Sequence, residues 1–149
     1  MSSLYTNIPN REGILAVAAH LRKDRTKDPI TPYILRLLEL VSHSMNFTYN
    51  EDHYLQIGGT AMGTALAPNY TNLFMDRFET KALDGWPLKP TLWLRYIDDI
   101  CMIWPHGKKE LDKFIEYLNS IHEKIKFTSE ISDSQINFLD TTANTASNS

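Results

Sequence analysis

Apolar residues recur at helical spacing in four stretches of the chain and crowd together in a fifth. Over residues 11–23, Ile14, Leu15, Ala18 and Leu21 fall on one side of a helix. Asp28-Pro29 breaks the pattern, and Thr31-Pro32 reads as N-cap and first position of a second helix. Its buried stripe is expected to be Ile34, Leu37, Leu38, Val41 and Met45. Residues 63–68 form a tight turn into a third helix, with Tyr70, Leu73, Phe74, Arg77 and Phe78 along one side. Gly85-Trp86-Pro87 ends it. A fourth helix is predicted over residues 108–124, on Leu111, Phe114, Ile115, Leu118, Ile121 and Ile125.

The strand signals are shorter. Residues 1–8 read as the end of a strand, stopped by Pro9-Asn10. Residues 46–52 are polar and turn-like, and residues 53–57 a short strand leading to Gly58-Gly59. Residues 92–104 are apolar and aromatic on both sides of Asp98-Asp99, the pattern of a β-hairpin. Residues 127–131 and 135–139 read as two last strands. This order predicts an α+β fold, with a mainly antiparallel sheet and helices packed on one face. A single domain is expected over residues 1–141, followed by a polar, disordered tail at 142–149.

Composition narrows the class. The chain has 149 residues, 42% hydrophobic and 22% charged, as in ordinary globular proteins. One cysteine, Cys101, excludes an internal disulfide framework and a cysteine zinc site. His20, His43, His53, His106 and His122 show no metal-ligand spacing. No apolar run is long enough to span a bilayer, and the first residues lack the pattern of a signal peptide. The expectation is an intracellular protein without membrane contact, the nucleus being compatible. A net charge of −3 and a pI near 5.9 count against a free-standing nucleic-acid binder. They are compatible with a catalytic core that holds cations.

Asp98 and Asp99 carry the sharpest chemistry. Their flanks, Trp93, Tyr96, Ile97, Ile100, Met102 and Ile103, are expected to hold both carboxylates in the core. Buried like charges raise each other's pKa or recruit a cation. A hard divalent ion such as Mg²⁺ suits two carboxylates, which it shares with substrate phosphates. The plainer alternative is a hairpin turn, where Asp is common.

Tyr96-Ile97-Asp98-Asp99 resembles the YxDD box of reverse transcriptases. The segment running from Gly59 through Met62, Gly63, Pro68 and Asn72 to Met75 resembles the glycine turn and helix of the same family. Its Met62 form is that of Penelope-like retroelements, where many relatives carry Gln. Ser2-Ser3-Leu4-Tyr5-Thr6-Asn7-Ile8-Pro9 resembles that family's first catalytic motif. Glycines allow close backbone approach to a nucleotide, and a helix start offers N–H groups to an anion. A plain loop into a core helix is the alternative for the glycines, and a core aromatic for Tyr5.

The resemblance implies a reverse transcriptase palm with Asp98 and Asp99 as catalytic residues and metal ligands. The metal is Mg²⁺, with Mn²⁺ as a substitute. Tyr5, Gly59, Met62, Gly63, Pro68 and Asn72 would bind substrate, Tyr5 by excluding a 2′-hydroxyl. The implied partners are an RNA template, a DNA primer and a dNTP; the oligomeric state is open. In register, the first motif's own aspartate would immediately precede Met1, so this chain alone is expected to be inactive or nearly so. Asp24, Asp28 and Glu51 are further acids with nothing to place them beside the hairpin. Arg95 can contact phosphate or lie on the outer face, and Lys124 and Lys126 can serve the leaving group or a helix end. The strand Ile136-Asn137-Phe138-Leu139-Asp140 resembles one near the primer grip. The alternative to a polymerase palm is a non-catalytic relic of a retroelement with weak metal or nucleic-acid binding. An unrelated α+β binding module is the third reading.

Overall fold

The computed structural model describes residues 4–23, 31–61 and 63–144. Asp24, Asp28 and Met62 lie outside the described residues. The fold is α+β, as expected. It divides into two compact units, Ser3–Gly85 and Trp86–Ser149. Among the described residues the strands pair as three separate two-stranded antiparallel ladders, where one larger sheet was expected.

The first unit opens with a helical turn, α1 (Leu4–Asn7), followed by α2 (Asn10–Lys23) and α3 (Thr31–Ser42). A strand end was expected at residues 1–8. Leu4 on this turn and Ile8 just after it are both buried. The Pro9 carbonyl then accepts from the N–H groups of Glu12 (3.0 Å) and Gly13 (3.1 Å), starting α2.

α2 packs against α3 and against α4 (Ala67–Asp84), and α1 touches α4. The buried face of α2 is Gly13, Ala16, Val17 and Ala18, whereas Leu15 is 47% exposed. Small residues let the helices approach closely. A Cβ at Gly13 would overlap the ring of Tyr70, which is buried and donates its hydroxyl to the Asn10 carbonyl (3.0 Å). That burial pushes the Tyr70 hydroxyl up from 10.0 to about 12. On α3, Thr31, Leu38 and Ser42 are buried, but Ile34, Leu37 and Val41 are exposed, against the expected stripe.

Residues 46–52 are not all turn. β1 (Asn46–Tyr49) pairs with β2 (Asp52–Leu55), and Phe47 stacks on its cross-strand partner Tyr54 at 5.5 Å. Only Asn50 and Glu51 turn, with φ of 49° and 68°. Two left-handed residues define the tight hairpin turn that matches strand twist. Asn tolerates this conformation; Glu does not. Glu51→Gly is expected to stabilise the unit by about 1 kcal/mol, read as a higher urea midpoint in far-UV circular dichroism.

The second unit is built on a hairpin, β3 (Leu92–Tyr96) and β4 (Asp99–Ile103), and on α5 (Lys108–Ile121). Phe114 of α5 is 0% exposed and sits among Trp86, Trp93, Trp104 and Tyr117, with Trp104 stacked on it at 4.9 Å. Burying one such ring stabilises by about 1.5–3 kcal/mol.

Residues 127–131 form no strand. Asn119 of α5 takes both backbone groups of Phe127, accepting its N–H (2.7 Å) and donating to its carbonyl (3.1 Å). Lys126 Nζ donates to the carbonyls of Asn119 (2.6 Å) and His122 (3.2 Å), closing the C-terminus of α5. Asn119 thus satisfies at Phe127 the backbone groups that a strand would have paired. β5 (Gln135–Phe138) then pairs with β6 (Thr141–Asn144), where a frayed tail was expected. The cross-strand pair Asn137 and Thr142 is joined by a side-chain hydrogen bond of 2.9 Å, and Thr141 Oγ1 donates to the Phe138 carbonyl at 2.8 Å.

Candidate functional site

Tyr96 and Asp99 are the last paired residues of the β3–β4 ladder, so Ile97 and Asp98 alone make the turn. Ile97 has φ 54°. A β-branched residue there is an outlier, disfavoured by roughly 1–2 kcal/mol. Strain of this kind persists where surrounding contacts hold it, and it gathers at functional sites.

Ladder pairing sorts the side chains by face. Trp93 and Met102 pair, as do Arg95 and Ile100, on the side where Trp93 meets Phe114 of α5. The other side carries Leu92, Leu94, Tyr96 and Ile103, all exposed.

Asp98 is half-buried and Asp99 is exposed, which corrects the expectation that both lie in the core. The two-residue turn puts them at the hairpin tip, beyond the part that packs on α5. Asp98 and Asp99 both line one cleft of about 520 Å³, and the pairing of Asp99 with Tyr96 puts Asp99 on the ladder's outer face. Its floor includes Met102, Leu111 and Leu118, and its far wall is the irregular segment 127–133.

Mg²⁺ commonly takes one or two protein carboxylates and completes its shell with water and phosphate oxygens. Two adjacent aspartates opening on a solvent-accessible cleft fit that donor set. Among the described residues, no group of three or more His, Cys, Asp or Glu side chains converges to hold a metal by itself.

Other charges on the cleft were not singled out in the sequence. Glu130 and Asp133 line it, as does Lys108, which lies 3.9 Å from Asp112. Nothing in their sequence context sets these three apart from ordinary surface charges. Arg95 lies on the face of Trp93 rather than the outer face, and its Nη1 donates to the Ile97 carbonyl at 3.2 Å. Lys126 serves the end of α5, one of its two expected uses. His43, His53 and His106 make local contacts to the Glu39 carbonyl, Thr48 and the Lys89 carbonyl.

The remaining candidates lie in the first unit. Tyr5 on α1 is half-buried, and its carbonyl accepts the N–H of Thr60 at 2.8 Å. The structure therefore brings Tyr5 together with the Gly59-Thr60 turn. Gly59 is buried with φ 73°, its Cα facing the backbone of Thr6. Gly63 has φ 86° and faces open space. Pro68 occupies the first turn of α4, as expected of Pro at a helix start, and Asn72 is exposed on the next turn. Leu66, at the N-cap, offers no side-chain cap to the helix.

No family model, curated protein or solved structure matches this chain. Among the described residues, no helix is long and apolar enough to cross a membrane.

Proposed function

We propose that this chain is palm sequence of an RNA-directed DNA polymerase of the Penelope-like type, which transfers nucleotides to a DNA primer on an RNA template. The observation that carries this reading is the strained two-residue turn that presents Asp98 and Asp99 to one cleft. Contact between the Tyr5 and Gly59-Thr60 motifs supports it, since a sugar-selecting aromatic and a nucleotide-approaching glycine turn are expected to be neighbours.

In this reading Asp98 and Asp99 hold Mg²⁺, or Mn²⁺ in its place. When bound, the ion supplies charge that stabilises the attacking and leaving oxygens of a phosphoryl displacement. Of the chain's own residues, the turn places Asp98, and the role the resemblance gives Tyr5 is selection of the sugar. Two carboxylates are fewer than a two-metal site uses, so the chain alone is expected to bind the ion yet extend no primer.

A second reading, a relic with weak metal binding, is favoured by the exposure of Asp99, which leaves its carboxylate in water. Titration of Mn²⁺ into the chain, followed by electron paramagnetic resonance, tests both. The expected result is saturable binding, weakened about tenfold or more in Asp98→Asn. Equal, weak binding by the native chain and Asp98→Asn would remove the metal site and favour the relic.

A further inference from the structure

We propose that Arg95 is the positioning residue of the aspartate pair. The inference rests on the metal-site reading and adds a residue to it. Arg95 lies two positions before Ile97, and its guanidinium Nη1 donates to the Ile97 carbonyl at 3.2 Å. That carbonyl belongs to the peptide joining Ile97 to Asp98. Pinning it fixes the peptide plane from which the Asp98 side chain departs. Ile97, at φ 54°, is a residue whose conformation relaxes unless something holds it.

The ladder explains why position 95 can do this. Arg95 pairs with Ile100 and projects on the face where Trp93 packs on α5. Arg95 is half-buried there. An anchored stem spends little freedom in reaching the turn, and the planar guanidinium meets a carbonyl with a fixed direction. Arg95 thereby orients Asp98, and through the next peptide Asp99, without lining the cleft itself.

The test uses the native chain, Arg95→Met, Ile97→Gly and the double variant, with Arg95→Gln in reserve if Arg95→Met does not fold. The first readout needs no metal. It is the three-bond amide coupling of residue 97 and the amide shift of Asp98, measured by NMR. Arg95→Met is expected to move both and to weaken Mn²⁺ binding about tenfold, as loss of an outer support typically does. In the Ile97→Gly background, where glycine adopts this turn freely, Arg95→Met is expected to have a clearly smaller effect on both readouts.

Unchanged residue 97 and Asp98 signals in Arg95→Met would overturn the proposal. So would an equal loss in the two backgrounds, because Arg95 would then act elsewhere than through the turn. If the native chain binds no Mn²⁺, the metal reading fails by itself, and the metal-free NMR comparison still decides the role of Arg95.

Discussion

Gly59→Ala is expected to destabilise the Ser3–Gly85 unit by about 3 kcal/mol or more. Three effects point the same way. An alanine at φ 73° is disfavoured by roughly 1–2 kcal/mol. Its Cβ would stand 2.5 Å from the Cα of Thr6 and 2.6 Å from its carbonyl carbon and oxygen. Those are backbone atoms, so no rotamer change relieves the overlap, and overpacking typically adds about 1–3 kcal/mol. Separating the segments would also strain the hydrogen bond from Thr60 N–H to the Tyr5 carbonyl. Gly63→Ala is the matched control: it shares the positive φ, but its Cβ meets nothing within 4 Å. It should lose only the backbone component, about 1–2 kcal/mol. Urea unfolding followed by far-UV circular dichroism checks the pair, with tryptophan fluorescence beside it. All three tryptophans, Trp86, Trp93 and Trp104, lie in the other unit. Equal midpoints for the two alanine variants would show that α1 does not press on Gly59.

The same comparison bears on function. Glycine at position 59 was read as a place where backbone meets nucleotide. The structure gives it a neighbour of another kind, the turn that carries Tyr5. Gly59 therefore acts on the position of Tyr5, while Gly63 faces open space.

How far the sequence could be read follows from the nature of each signal. The β3–β4 hairpin and α5 were legible because their patterns are strong and local. An apolar run broken by two aspartates admits few other folds, and Leu111, Phe114 and Leu118 repeat at helical spacing. The faces of α2 and α3 were less legible. Hydrophobic periodicity weights large residues, so it chose Leu15 and passed over Ala16 and Gly13, the latter small because the Tyr70 ring takes the space. α1 was missed because two apolar residues, Leu4 and Ile8, cannot define a period. Residues 127–131 have strand composition, yet the Asn119 side chain takes both backbone groups of Phe127, a fact that only tertiary structure supplies. At the candidate site, the place of the aspartate pair at a hairpin tip was legible and its burial was not. Asp98 and Asp99 were found from their flanks, but those flanks pack below the turn and leave the tip open. Arg95 could be named from its position beside the box, whereas its hydrogen bond to the Ile97 carbonyl depends on a left-handed turn that no composition announces.

Asp98→Ala is expected to abolish nucleotide transfer, by about 10³-fold or more, in any form of the polypeptide that extends a primer. The suitable form carries an acidic residue and a basic template-binding region ahead of Met1. It would be assayed with Mg²⁺, an RNA template and a DNA primer, beside the chain as it stands. A thousandfold loss corresponds to about 4 kcal/mol of transition-state stabilisation. That size is what positioning and charge stabilisation supply in phosphoryl transfer, where the protein contributes little covalent chemistry. Asp99→Ala should lose less. Asp99 is the more exposed of the two, and water can take over part of its contact. Asp98 is the half-buried one, placed directly after the strained Ile97, so its direction is set by the fold. Extension by the longer form, none by the chain alone, and losses ordered Asp98 before Asp99 would establish the polymerase reading and the division of labour within the pair. A longer form that extends primers equally well with Asp98→Ala would place the metal chemistry elsewhere and reduce the hairpin to a structural turn.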